Sequence, residues 1–283
     1  VTGSRRLAIV TGASRGIGRA VVRGLCRRGL HVAALARSSD ELATLAAETG
    51  CETAAVDVAD GIQLKEVVQS LLARHGSCEL LVNNAGYGLR GAVEEIDVPA
   101  FRRELEVNLV APLVASQLVL PGMRARRRGT IVHVGSVAGH VAAPLSGAYA
   151  ATKFALRALA DAQRVEVAPF GVSVVWVEPG PVHTQFATAA ASSSERILGD
   201  PHSPYRPVYE RLARHLQTLH AGHAWQPDLV AERIVEAATA ATPPRTVRAY
   251  GWFLWASMWV HAVWPAAFDR EVARRMGFRE LGG

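Results

Sequence analysis

Lysine is nearly absent from this chain. Of its 31 Lys and Arg residues only Lys65 and Lys153 are lysines, so Lys153, within SGAYAATKFAL at 146–156, is an exception that its position has to explain. Cysteine is scarce as well. Cys26, Cys51 and Cys78 are odd in number and lack metal-type spacing, which argues against a disulfide framework and against a zinc cluster. A reducing cytoplasm is the expected setting, and no metal is expected. The net charge is +6, yet the arginines are scattered and RARRR at 124–128 is the one tight run. That pattern reads as solvated surface, so no nucleic-acid partner is expected. The apolar segment 249–264 carries four of the six tryptophans, but its 16 residues fall short of the roughly 20 that span a bilayer as a helix. VTGSRR, ahead of the first strand-like run, lacks an apolar core, and no signal peptide is expected there.

At 283 residues and 49% hydrophobic, the chain has material for a sizeable core. Its first 180 residues alternate short β-branched runs with longer helical patterns, the rhythm of a doubly wound parallel sheet with helices on both faces. LAIVT, HVAALA, TAAVD, LLVNN, TIVHVG and SVVWVEP are the predicted strands; 19–28, 40–49, 62–75, 100–120 and 149–167 are the predicted helices. After Pro181 the pattern becomes irregular, with a predicted helix near 208–219. DLVAERIVEAATAA then reads as an amphipathic helix capped by Asp228, and RTVRAY as a last strand. Neither a repeat nor a long linker interrupts the series. The expectation is one domain over 1–283, with a core of 5–184 and 228–250 and an apolar extension at 251–283.

IVTGASRGIGRAV joins the first strand to the first helix through Gly12, Gly16 and Gly18. Glycine permits a sharp turn and close backbone approach, and a helix N-terminus offers free N–H groups to a pyrophosphate. The motif continues in order through DV at 57–58, NNAG at 83–86, Asn108, Ser136, Tyr149 with Lys153, and PGPVHT at 179–184. Together these resemble the short-chain dehydrogenase/reductase family over nearly the whole core; the last hundred residues match only loosely. The resemblance implies a single Rossmann-like α/β domain and an oxidoreductase using a nicotinamide cofactor.

The turn residues Gly12, Ser14, Arg15, Gly16, Ile17 and Gly18 are then cofactor-binding candidates. At the end of the second strand an acid would favour a free ribose 2′-hydroxyl and an arginine a 2′-phosphate. Ala36 stands where the acid would be and Arg37 follows. Arg37, Arg15 and Ser38 therefore point to NADP(H). The resemblance further implies that Asp57 and Val58 hold the adenine, that Asn84, Ala85 and Gly86 line the ribose side, and that Pro179, Gly180, Val182 and Thr184 frame the nicotinamide.

A carbonyl that accepts hydride needs a proton at its oxygen, and a tyrosine of ordinary pKa about 10 needs help to work at neutral pH. Tyr149 and Lys153 lie at i and i+4 on a predicted helix, so the ammonium is expected to favour the phenolate. A compact lysine also suits the ribose hydroxyls better than a planar arginine. By resemblance, Ser136 orients the substrate oxygen and Asn108 holds a water linking Lys153 to solvent.

The expected activity is NADPH-dependent interconversion of a carbonyl and a secondary alcohol. Residues 185–227 would form a substrate lid, and DPHSPYRPVYERL at 200–212 loosely resembles members acting on steroids or retinoids. A bulky apolar substrate is expected. A non-catalytic NADP-binding module and a redox-neutral epimerase stay open as alternatives. Trp252, Trp255 and Trp259 recur at helical spacing. Core or subunit packing, a peripheral membrane contact through 249–264, and a wall of the substrate entrance are all compatible with them. The resemblance implies a homodimer or homotetramer.

Overall fold

The apolar runs become strands because both faces of the sheet are covered. A computed structural model describes residues 6–186, 190, 192, 194–212, 214, 224–278 and 281. In it β1 (Leu7–Thr11), β2 (His31–Ala36), β3 (Glu52–Ala55), β4 (Cys78–Asn83), β5 (Gly129–Val134), β6 (Val172–Pro179) and β7 (Thr246–Ala249) form one sheet. Its order is β3-β2-β1-β4-β5-β6-β7, and every neighbouring pair is parallel. The order reverses between β1 and β4, the place where open α/β sheets bind ligands at the carboxyl ends of their strands.

Alternate residues of each strand feed two cores. Ala8, Val10, Val32 and Ala34 pack under Val21 and Leu25 of α1 (Gly16–Arg27), Leu42 and Leu45 of α2 (Ser39–Thr49), and Ile234 further along. Leu7, Ile9, Ala33 and Leu35 share the other core with Leu64, Val68 and Leu71 of α3 (Gly61–His75).

The helix expected over 100–120 is longer and is interrupted. α4 (Val98–Leu105) passes through a π turn at Glu106–Val110 into α5 (Ala111–Ala125). The whole stretch is long and apolar enough to cross a membrane by length and composition, but Ala111, Ala115, Val119 and Met123 are buried in the second core. α6 (Gly147–Val167) follows β5 and adds Leu156 and Ala160 to that core. α7 (Pro227–Thr239) departs from the expected Asp228 cap: Gln226 is the N-cap, Pro227 begins the helix, and Asp228 lies in its first turn. Proline suits that position because its missing N–H has no helical partner there in any case.

Of the helix expected near 208–219, residues 206–212 and 214 are helical; 213 and 215–219 lie outside the described residues, as does part of the expected lid. A third apolar cluster joins Leu89, Ala92 and Leu145 to Ile197, Val208, Tyr209, Leu212 and Met276. α8 (Trp252–Val263) and α9 (Pro265–Met276) close the chain. Trp252, Trp255 and Trp259 are 79%, 48% and 56% exposed, so they are not part of this chain's own core. Three arginines of RARRR are tied to neighbouring elements: Arg126 donates to Cys78 O and Arg128 pairs with Glu79 at the start of β4, and Arg127 donates to Pro169 O.

Candidate active site

The glycine turn joins β1 to α1 at the point where the strand order reverses. Gly12 has φ +63°, and a Cβ on Gly18 would lie 2.2 Å from Gly12 O, so the turn closes only around bare backbone. The Thr11 hydroxyl accepts the N–H groups of Asn84 and Ala85 at 3.1 Å, while Asn84 Nδ2 donates to Thr11 O and Gly12 O at 3.0 Å. NNAG therefore braces the turn. α1 itself starts at Gly16 without a side-chain cap and without an acid in its first turn. Its leading amides are free to meet an anion, and the helix dipole favours one there. A cleft of about 560 Å³ opens on this end, lined by Ser14, Arg15, Gly16, Thr184 and Gln185 among others. The residues present fit a dinucleotide pyrophosphate.

The candidate reacting groups converge from the end of β5, from α6 and from the π turn. Ser136 follows β5 and caps a short 3₁₀ turn, its hydroxyl accepting Ala138 N at 3.1 Å. It also hydrogen-bonds the Tyr149 phenol, but burial outweighs this and pushes the phenol up to about 12. Lys153 is buried one turn further along α6, donating from Nζ to Val134 O at 3.0 Å. Its ammonium lies 5.7 Å from the centre of the Tyr149 ring. Burial pulls Lys153 down to about 8, partly offset by the charge of Glu104. The i, i+4 spacing predicts that the ammonium favours the phenolate. In the folded protein desolvation of the phenol is the larger effect, and Tyr149 stays protonated at neutral pH.

The buried Asn108 donates from Nδ2 to Tyr87 O at 2.8 Å and to the Thr152 hydroxyl at 3.1 Å, and accepts Tyr87 N at 3.1 Å. The π turn aims it inward, as such one-turn bulges often do at functional sites. A Cβ on Gly86 would lie 3.1 Å from Asn108 Oδ1 and 3.6 Å from Lys153 Nζ, which keeps NNAG in contact with the acid–base cluster.

Three neighbours of the cluster escaped sequence reasoning. Glu104 is buried one turn before Asn108, accepts Leu89 N at 3.0 Å, and is raised to about 7 by burial. Arg90 donates to Ser146 Oγ at 2.9 Å, and its charge acts on Tyr149; burial lowers its own pKa. Phe186 packs on the Tyr149 ring with centroids 5.4 Å apart. Spacing from Asn108 is a signal for Glu104, whereas nothing local marks Arg90 or Phe186.

The remaining candidates surround the turn. Thr184 is the side chain that a Cβ on Gly16 would touch, at 3.0 Å, and its hydroxyl accepts Phe186 N at 3.2 Å. Val182 bridges to Trp225, and Gly180, just past Pro179 at the end of β6, donates to Ala249 O at 3.0 Å. Ile17 packs against the first core, and Val58 is buried in the second. Arg37 is exposed beyond Ala36. Ser38 caps α2 by accepting Glu41 N at 3.4 Å. Arg15 pairs with Glu41 at 3.2 Å and donates to Gln185 at 2.7 Å. Asp57, just past β3, accepts Ala59 N at 3.1 Å and pairs with Arg103.

Fold and site together define a nicotinamide-dinucleotide-type α/β oxidoreductase with a Ser-Tyr-Lys cluster. The family model for short chain dehydrogenase matches residues 6–195. Human (Homo sapiens) 17-beta-hydroxysteroid dehydrogenase type 1 is 35% identical over 194 residues, 68% of this chain and 58% of its own. A solved short-chain dehydrogenase from Streptomyces avermitilis superposes with a TM-score of 0.80 at 26% identity, covering 100% of both chains. A metagenomic short-chain oxidoreductase in complex with NADP superposes at 0.69 with 28% identity, over 87% of this chain and 98% of its own. The chain belongs to the short-chain dehydrogenase/reductase family. It is an oxidoreductase of that family, which acts on CH–OH and C=O groups with a nicotinamide cofactor.

Proposed function

We propose that this protein is an NADPH-dependent reductase that converts the carbonyl of a bulky apolar compound into a secondary alcohol. The observation that carries the reading is the convergence of Ser136, Tyr149 and Lys153 beside a glycine turn whose helix amides lack a side-chain cap. Bound nicotinamide supplies the hydride. The protonated Tyr149 phenol donates its proton to the substrate oxygen as the carbonyl carbon receives that hydride, giving the alcohol. The Ser136 hydroxyl orients the same oxygen. Arg90 and Lys153 stabilise the phenolate left behind until it is reprotonated, and resemblance to the family gives Asn108 the water that returns that proton.

Preference for the 2′-phosphate rests on Arg37 and Arg15 with no acid at Ala36, and the similarity to an NADP complex supports it. The bulky apolar substrate is supported by the Phe186 ring over Tyr149 and by the similarity to a hydroxysteroid dehydrogenase. NADPH consumption across ketones graded from small aliphatic to polycyclic tests this, with the polycyclic end expected to have the highest kcat/KM. Tyr149→Phe is expected to lower turnover by about a hundredfold or more while NADPH binding, followed by its fluorescence, stays nearly intact. Retained turnover would remove Tyr149 from the mechanism.

A further inference from the structure

His31 opens β2, Glu52 opens β3 and His75 closes α3, so three elements each deliver one side chain to the same spot. This spot lies at the amino-terminal end of the sheet, opposite to the glycine turn. His31 Nε2 and His75 Nε2 each lie 2.9 Å from a single oxygen, Glu52 Oε2. The two imidazole rings lean together with centroids 4.3 Å apart, and donor atoms of the three side chains all fall within 4.8 Å of one another. Two imidazole nitrogens and one carboxylate oxygen are the donor set of a borderline-soft divalent cation, Zn²⁺ above all. Zinc bonds of about 2.0–2.2 Å put neighbouring donors of a tetrahedral site roughly 3.3 Å apart. Each 2.9 Å contact therefore needs to open by only a few tenths of an ångström.

We propose that His31, Glu52 and His75 form a Zn²⁺ site, completed by solvent, that staples strand β3 to β2 and α3. The three side chains are 30%, 25% and 25% exposed, so the ion enters from water without opening the core. Both imidazole Nε2 atoms face Glu52 Oε2, and a metal would replace those hydrogen bonds by taking the nitrogen lone pairs and the carboxylate oxygen, with release of any Nε2 proton. Arg74 pairs with the other oxygen, Oε1, which fixes the carboxylate and leaves Oε2 to the nitrogens; its charge also weakens the site. The staple has something to secure, because β3 is a four-residue strand at the edge of the sheet. The site stands apart from the reacting groups, so it acts on stability and is independent of the reaction proposed above.

The test is a ZnCl₂ titration of tag-free, EDTA-stripped protein. A single saturable equivalent is expected, with Tm rising by about 5 °C when free Zn²⁺ exceeds its Kd a hundredfold. Co²⁺ in its place is expected to give the visible absorption bands of a four-coordinate site. His31→Gln and His75→Gln are each expected to weaken binding at least tenfold with an unchanged far-UV CD spectrum. The absence of a saturable equivalent, or wild-type affinity in both histidine variants, would overturn the proposal.

Discussion

Glu104→Gln probes a proton stored beneath the reacting groups. Glu104 is fully buried; one carboxylate oxygen accepts Leu89 N and the other, Oε2, has no partner among the described residues. Burial raises it from the ordinary 4.5 to about 7, against the Leu89 hydrogen bond and the charge of Lys153. Between those values the native state holds a proton that the unfolded chain has already released. The stability this proton confers is complete below pH 4.5 and is lost as the pH rises through about 7. A gap of roughly 2.5 pH units at about 1.4 kcal/mol each amounts to about 3 kcal/mol, an upper bound because relaxation around the carboxylate reduces it. Glutamine keeps the shape and the acceptor for Leu89 and cannot ionise. The variant is expected to match the wild type near pH 4 and to exceed it by up to about 3 kcal/mol at pH 8. Urea unfolding followed by CD from pH 4 to 9 reads this directly. Two curves separated by a constant offset would refute the reasoning. Because the charge of Glu104 supports the ammonium of Lys153, the alkaline limb of kcat is also expected to move to lower pH.

Gly18→Ala places a methyl group where Gly12 O already lies, 2.2 Å away, and is expected to abolish NADPH binding; unchanged binding by fluorescence titration would remove the turn as the cradle. Arg37→Asp is expected to raise the KM for NADPH about tenfold to a hundredfold, through loss of charge-assisted hydrogen bonds to a 2′-phosphate, and to lower that for NADH. An unchanged KM for NADPH would make Arg37 a bystander. Lys153→Arg forces a planar fork into the buried space between Val134 O, Gly86 and Tyr149. Its kcat is expected to fall by about a hundredfold, and wild-type turnover would make the lysine incidental.

Much of this was legible before folding because the relevant physics is local. Strand runs such as LAIVT and SVVWVEP are read from β-branched apolar composition, and each appears where expected. The Tyr149–Lys153 spacing needs only a helix to put both on one face. Less local features were missed. The π turn at Glu106–Val110 is one, although Pro112, two residues beyond it, has no N–H to offer the Asn108 carbonyl and so disturbs the regular ladder. The Asp228 cap was misplaced because Pro227 already starts the helix one residue earlier.

The order of motifs along the chain was enough to determine the parallel α/β fold and the family, and to nominate Ser136, Tyr149 and Lys153 as acid–base candidates, since each rests on spacing within one element or on a strand-to-helix junction. Tertiary structure alone decided the charge states. Tyr149 rises, Lys153 falls and Glu104 rises because burial is set by residues distant in sequence. It also decided the grouping of His31, Glu52 and His75, which only strand pairing and the end of α3 bring to one point.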